Sequence, residues 1–283
     1  MTQIHQANQD QVQLWNGHTG HAWVDMQGVL DQLFTPMERR LMQEAAALRP
    51  STVLDVGCGT GAVTLALARG LGGQAQCTGA DISQPMIEAA QARAARAETP
   101  ASFVLADAQT HDFGQARFDL IVSRLGVMFF DDPVRAFGNL RQAAVKGAAL
   151  RFIAWRGPEE NPFMTAGERA VAHLLPALAP RPADRPGQFG LASRERIISL
   201  LQQSGWQDVE VAPLDLACAI PEADLVPYLS MLGPVGPILP NESEARRREI
   251  VGLMRAACEP YVHGGEVRIN AACWLASARN PGA

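Results

Sequence analysis

The sequence has no long hydrophobic run. Nothing in it approaches the ~20 consecutive apolar residues of a membrane-spanning helix. Its opening, MTQIHQANQDQVQLW, is polar and lacks the apolar core of a secretion signal. It has no CxxC pair either. The five cysteines, at 58, 77, 218, 258 and 273, are odd in number and widely spaced, which argues against a disulfide frame or a zinc site and for free thiols in a reducing compartment. An excess of basic charge is also missing. There are 24 Lys and Arg against 29 Asp and Glu, a net charge of −5. The basic clusters, Arg93/Arg96 and Arg246-Arg247-Arg248, fit solvated helix faces, and the charge balance argues against the clustered basic face of a nucleic-acid binder. No internal repeat or low-complexity tract breaks the chain. These absences predict a soluble, cytoplasmic protein with no membrane span, no nucleic-acid partner and no metal.

What is present is core material, 47% hydrophobic residues over 283 positions, enough for one large domain or a domain with a lid. Residues 1 to about 50 are helical in pattern. Residues 51 to about 155 alternate: strands at Thr52–Asp55, Cys77–Ala80, Ser102–Ala106, Phe118–Ser123 and Ala148–Ala154, with helices at Ala62–Leu71, Pro85–Ala97 and Pro133–Ala144. That rhythm implies right-handed βαβ units and a mostly parallel sheet. The stretch Arg156–Gly190 is rich in proline, with one helical run at Phe163–Leu175. A helix at Arg194–Ser204 follows, then strands at Val209–Leu216 and Ala271–Ala278. About 50 residues separate the two strands, with helical patterns at Glu222–Leu232 and Glu242–Cys258. Pro234, Pro237 and Pro240 stiffen this insertion, and Met231, Leu232, Val235 and Ile238 give it an apolar face, which suits a lid or a dimer surface equally.

The most informative stretch is TVLDVGCGTGAVTLALA, residues 52–68. A strand, a turn with glycines at 57, 59 and 61, and a helix place a ligand site at the strand's carboxyl end. Glycine permits positive φ and close backbone approach, and the helix N-terminus offers free N–H groups. A P-loop is excluded because GxxxxGK[ST] is missing. The dinucleotide fingerprint GxGxxG is missing too, and Asp55 before the glycines would sit badly against a pyrophosphate but well against an ammonium.

The stretch VLDVGCGTG resembles the cofactor motif of class I S-adenosylmethionine (SAM)-dependent methyltransferases. The likeness continues in order through GADIS, LADAQTHDF and FDLIVSRLGVMFFDDP, and more loosely through GQFGLASRERIISLLQQSGWQDVEV. The segment WNGHTGHAW is similar to an N-terminal cap of small-molecule members related to the ubiquinone and menaquinone methyltransferases. One departure is AAVKGAAL, where many relatives have a Pro-Gly-Gly turn. The resemblance implies a Rossmann-like α/β fold: a seven-stranded, mostly parallel sheet with one antiparallel strand, helices on both faces and a helical lid. It further implies an N-terminal cap over residues 1–50, a SAM-binding core over 51–216 and 266–283, and inserted lid, substrate or dimer segments over 156–190 and 217–265.

By that resemblance the cofactor SAM, leaving as S-adenosylhomocysteine, is expected against Asp55, Gly57, Cys58, Gly59, Thr60 and Gly61. Asp55 would meet the ammonium, Asp81 the ribose hydroxyls, Ile82 the adenine face, and Asp107 and Ala108 the adenine edge, and Met86 is expected at the cofactor too. Ser123, Arg124 and Gly126 would lie beside the sulfonium; Arg124 would contact SAM, the substrate, or Asp131 or Asp132. Trp15 and Trp23 would fold over the cofactor. Met128, Phe129, Trp155 and Phe189 are expected as pocket walls. Base candidates are weaker: His21 and His173 first, then His18, Glu159 and Glu160. The expected activity is methyl transfer to a small organic acceptor, oxygen or nitrogen ahead of carbon, by a monomer or homodimer. The rival readings are a non-catalytic SAM-binding protein, a SAM-using enzyme of other chemistry, and a nicotinamide oxidoreductase.

Overall fold

The computed structural model describes residues 8–73, 75–176, 178 and 185–282. In chain order the elements are α1 (Gln9–Asn16), α2 (His18–Asp25), α3 (Gln27–Leu48), β1 (Thr52–Val56), α4 (Ala62–Gly70), β2 (Gln76–Asp81), α5 (Gln84–Arg96), β3 (Ala101–Leu105) and β4 (Phe118–Arg124). They continue with α6 (Pro133–Ala143), β5 (Ala144–Trp155), α7 (Phe163–Val171), α8 (Arg194–Gln203), β6 (Gln207–Pro221), α9 (Leu225–Met231), α10 (Glu244–Ala257), β7 (Val262–His263) and β8 (Glu266–Arg279).

The sheet order is β3-β2-β1-β4-β5-β8-β6. β3, β2, β1, β4 and β5 pair in parallel, and β8 runs antiparallel to both β5 and β6. The central strands are apolar runs because helices cover both faces: Val53, Leu54, Leu120, Ile121 and Val122 are fully buried. α3 packs on α4 and across β4, β5 and β6, while α6 and α8 pack on each other and reach β5, β6 and β8. Trp206 pins that side: it is buried, and its indole N–H donates to the Phe137 carbonyl at 3.0 Å. The expected seven-strand path is present, and the two-residue β7, paired with β8, adds an eighth.

The last two strands are longer than expected. β6 and β8 pair from Gln207↔Arg279 to Pro221↔Glu266, so a two-stranded ribbon leaves the sheet. Its far end alternates buried Cys218, Ile220, Val267 and Ile269 with outward-facing neighbours. The pattern is period two, but Pro221 masks it as a turn. The run 222–232 is a single 3-10 turn, Glu222–Asp224, followed by α9. All five cysteines are free and buried. Among the described residues no helix is long and apolar enough to cross a membrane, and no group of three or more His, Cys, Asp or Glu is placed to hold a metal.

The order of strands reverses between β1 and β4, because the chain winds from β1 outward to β3 and then returns to build β4 on the other side. The loops at the carboxyl ends of β1 and β4 therefore diverge and leave a crevice.

Candidate active site

The crevice opens into a cavity of about 430 Å3, within the size range of small-molecule sites. Its floor is the turn after β1. Gly57, Gly59 and Gly61 have φ of +67, +54 and +84°, but they serve three different ends. A Cβ on Gly57 would lie 2.6 Å from the Gly126 Cα, so the loops after β1 and β4 touch backbone to backbone. A Cβ on Gly61 would meet the Phe103 ring at 2.8 Å and the Ala90 Cβ at 3.0 Å, a packing constraint from α5 and β3. Gly59 has only the Met86 Sδ nearby, at 3.7 Å. Gly57 and Gly59 line the cavity and Gly61 does not. Of the three glycines expected at the cofactor, two therefore line the cavity, and the third closes the turn onto the sheet.

Two more turn residues expected at the cofactor support the turn from behind. Cys58 is buried, with its thiol directed at the Gly59 carbonyl at 3.7 Å. Thr60 accepts from Arg93 at its carbonyl, 2.7 Å, and at Oγ1, 3.0 Å, while Arg93 Nη2 pairs with Asp31 at 2.6 Å. One guanidinium thus ties the turn to α3.

Asp55 also departs from expectation. In a strand successive side chains point to opposite faces, and it is Val56, not Asp55, that lines the cavity. Asp55 is 1% exposed and accepts from the Thr64 hydroxyl at 2.6 Å. Burial raises its carboxyl to about 6, against the hydrogen bond from Thr64 and the charge of Arg124, which lower it. A folded-state value above the unfolded one means that stability is fully present below about pH 4 and is lost as pH rises through about 6. At 1.36 kcal/mol per pH unit the loss is on the order of 3 kcal/mol. Asp55→Asn should remove that slope. Urea midpoints at pH 5 and pH 7.5 should fall for the natural chain and hold nearly level for the variant; parallel pH profiles would sink this assignment.

At the end of β2, Asp81 lines the cavity and accepts two backbone N–H groups, Gly59 at 2.8 Å and Ser83 at 2.9 Å. Burial pushes its carboxyl up, and those hydrogen bonds pull it down. Each oxygen keeps a second lone pair for a ligand hydroxyl. At the end of β3, Asp107 and Ala108 line the cavity. Asp107 accepts from the Gln109 N–H at 2.9 Å, and the Asn139 side chain holds the Ala108 and His111 carbonyls, both at 2.9 Å. Ile82 and Met86 complete that end.

The turn after β4 supplies the opposite wall. Ser123 is fully buried, and its hydroxyl accepts from the N–H groups of Gly126 at 3.2 Å and Val127 at 3.3 Å. It shapes the turn but does not line the cavity. Arg124, Leu125 and Gly126 all do. Consecutive residues face one side here because Leu125 takes a left-handed φ of +66°, an uncommon conformation for a branched side chain. Arg124 lies over the Phe34 ring, 5.4 Å to its centre.

The N-terminal helices form the roof. Trp15 and Trp23 line the cavity within a chain of aromatic rings: Trp15 to Phe129 at 4.9 Å, Trp15 to Trp23 at 5.8 Å, Trp23 to Phe34 at 6.3 Å and Phe34 to Trp155 at 6.2 Å. Hydrogen bonds fix α1 to the turn after β2. Ser83 Oγ donates to the Trp15 carbonyl at 2.6 Å, and Asn16 donates to the Ile82 carbonyl at 3.1 Å and accepts from the Gln84 N–H at 2.8 Å. Met128, Phe129 and Trp155 line the cavity as expected, whereas Phe189 is buried outside it.

The expected bases are not in the cavity. His21 and His173 are exposed and outside the lining, and so are His18, Glu159 and Glu160. Glu160 is held by Arg156 at 2.7 Å. A general base must come within about 2.6–3.2 Å of the proton it takes, or one water away, so none of these fits that role. The sequence reading passed over Phe34, Leu125, Phe163, Met164, Gly167, Glu168, Tyr228, Leu229 and Met254, all in the lining. The apolar face of the insertion, with Pro234 and Pro237, was a visible signal: Leu232, Pro234, Val235 and Pro237 face the cavity.

With this geometry, residues 53–147 match the methyltransferase domain family. The chain is 34% identical over 185 residues to the aklanonic acid methyltransferase DauC of Streptomyces sp. (strain C5), covering 62% of this chain and 83% of that protein. It is 28% identical over 206 residues to the nocamycin O-methyltransferase of Saccharothrix syringae, covering 68% of this chain and 72% of the other. Its fold is similar to that of the YcgJ protein from Bacillus subtilis, with a TM-score of 0.58, 14% identity and coverage of 87% and 98%. The chain belongs to the SAM-dependent methyltransferases.

Proposed function

We propose that the chain methylates an oxygen of a small organic acceptor with an apolar, ring-bearing body. The observation that carries this reading is the composition of the cavity beyond the glycine turn. There it becomes a chamber walled by Phe129, Phe163, Met164, Tyr228, Leu229 and Met254, which suits apolar rings and not a charged polymer. Relatives named for aklanonic acid and for O-methylation support oxygen as the methylated atom.

The residues at the strand ends fit the cofactor: acceptors at Asp107 and Asp81, open backbone at Gly59, and a buried guanidinium N–H on Arg124 without a partner among the described residues. SAM supplies a methyl already activated on a positively charged sulfur. What remains for the chain is to bring an acceptor oxygen into line at about 3–3.5 Å and to exclude water. The aromatic walls orient the acceptor. The segments 8–50, 156–176 and 217–265 act as cap and lid around the core of 51–155, 191–216 and 266–282. An acceptor that arrives as an anion, a carboxylate or an acidic phenol, needs no proton removed. The reading also holds the protein to be cytoplasmic, acting as a monomer or homodimer without nucleic acid.

The test is incubation of the protein with SAM and a panel of aromatic carboxylic acids, phenols and amines, followed by mass spectrometry. The expected result is S-adenosylhomocysteine formed together with a methyl ester or methyl ether. Methylation confined to amines or carbon would overturn the choice of oxygen, and cofactor bound without turnover of any acceptor would point to a non-catalytic role.

A further inference from the structure

We propose that Asn8 selects the acceptor by taking a hydrogen bond from a hydroxyl on its ring body, apart from the oxygen that is methylated. The inference rests on the O-methylation reading above and deepens it by naming a group that the acceptor must carry. Asn8 is the N-cap of α1, a position where asparagine ordinarily accepts from a backbone N–H of the first turn. Here its side chain makes no such bond. Its φ of +88° is left-handed, a conformation asparagine tolerates, and the residue lines the cavity. It is 8% exposed, and its Oδ1 is buried without a hydrogen-bond partner among the described residues. Such an oxygen is costly unless a ligand completes it. Asn8, Gln11 and Trp15 are spaced for one helix face, and all three line the cavity. Gln11 already accepts from the Trp15 indole N–H at 3.2 Å, which leaves Asn8 as the open acceptor of this face. The far end of α1, at Trp15 and Asn16, is the end tied to the turn after β2. At about 1.5 Å of rise per residue, Asn8 stands ~10 Å along the axis from Trp15, carried away from that turn.

An amide can present either its oxygen or its NH2 group, and the rest of the cavity favours the oxygen as the reading group. Away from the strand ends no Lys, Arg or His lies among the described residues of the lining, and the one acid there is Glu168. Glu168 is one helical turn after Met164 on the cavity face of α7. That helix lies close on the lid: a Cβ on Gly167 would come within 3.2 Å of the Met254 Cε and 3.5 Å of the Leu229 Cδ2. A carboxylate on the ring body would find no cation in this part of the cavity and would meet a second carboxylate. A hydroxyl would find acceptors.

The donors of the cofactor offer the same chemistry, so the test is made with S-adenosylhomocysteine already bound. Equilibrium dialysis of the saturated chain compares three ring ethers of one skeleton: 2-methoxynaphthalene, 6-methoxy-2-naphthol, which adds one hydroxyl, and 6-methoxy-2-naphthoate, which adds a carboxylate. The natural chain should bind the naphthol about 3- to 10-fold more tightly than the plain ether, the scale of one neutral hydrogen bond, and the naphthoate no better than the plain ether. Asn8→Leu should lose the preference for the naphthol while holding the plain ether and S-adenosylhomocysteine as before. Asn8→Asp, which keeps an acceptor and loses the NH2, should retain the preference. A preference that survives in Asn8→Leu overturns the proposal, as does a fall confined to S-adenosylhomocysteine, which would turn Asn8 towards the cofactor. Loss of the preference in Asn8→Asp overturns it in favour of a carbonyl read by the NH2 group, and loss of all three ethers in both variants overturns it as a structural role. If the natural chain binds the plain ether and the naphthol equally, the inference fails alone. If it binds none of the three, the ring-bearing acceptor reading fails and takes the inference with it.

Discussion

Replacing Gly59 with valine should leave the fold standing and abolish measurable binding of S-adenosylhomocysteine. The first carbon of a side chain has room at this position, since only the Met86 Sδ lies near, at 3.7 Å. The cost is local: a branched residue held at φ +54° loses about 1–3 kcal/mol, which most domains survive. The two methyls, however, would stand in the cavity that Gly59 lines, where the cofactor is expected to pass over the turn. Gly57→Val should do the opposite. Its Cβ would lie 2.6 Å from the Gly126 Cα, and neither backbone can yield, so the contact between the loops after β1 and β4 is lost and the chain should unfold at a lower temperature by several degrees or more. Thermal melts and calorimetric titrations on the two variants separate the cases. Normal binding by Gly59→Val would mean that the turn is structural and the cofactor lies elsewhere.

The second large effect is expected at Asp81. Its carboxylate accepts from the Gly59 and Ser83 backbone N–H groups, and the same oxygens face the cavity where ribose hydroxyls would donate. Asp81→Ala removes the ligand contacts and also strips the turn of an internal acceptor. Each buried donor left without a partner costs about 1–3 kcal/mol. Affinity for S-adenosylhomocysteine should fall by ~3 kcal/mol, about 150-fold, with the loss greater than for Asp81→Asn, which keeps one acceptor oxygen. Unchanged affinity in the alanine variant would remove Asp81 from the site.

The core of the fold was legible because its signals are local. Short apolar runs, each followed by a turn residue and a helix with its own cap, specify βαβ units almost one at a time. The handedness of those units then places every strand's carboxyl end on one edge. Asp81, Asp107 and Arg124 could be assigned to a single edge for that reason, and all three line the cavity. The ribbon of β6 and β8 was legible only in part. Its outer half gains strand pairing from a partner about 50 residues away, and nothing local announces a strand that ends in Pro221.

The candidate site divides the same way. Residue types and their order determined that an open turn, two acidic strand ends and an arginine lie on one edge of a parallel sheet, because backbone conformation and strand polarity follow from neighbours in the chain. Only the tertiary structure decided which way each side chain faces and what closes the cavity over them. Asp55 points beneath the floor to Thr64, and Gly61 serves Phe103. His21 and His173 face outward, and α7, α9 and α10 bring Met164, Tyr228 and Met254 to the chamber. Those outcomes depend on contacts between segments far apart in sequence, where each packing choice is set by the shape of the partner and not by the residue alone.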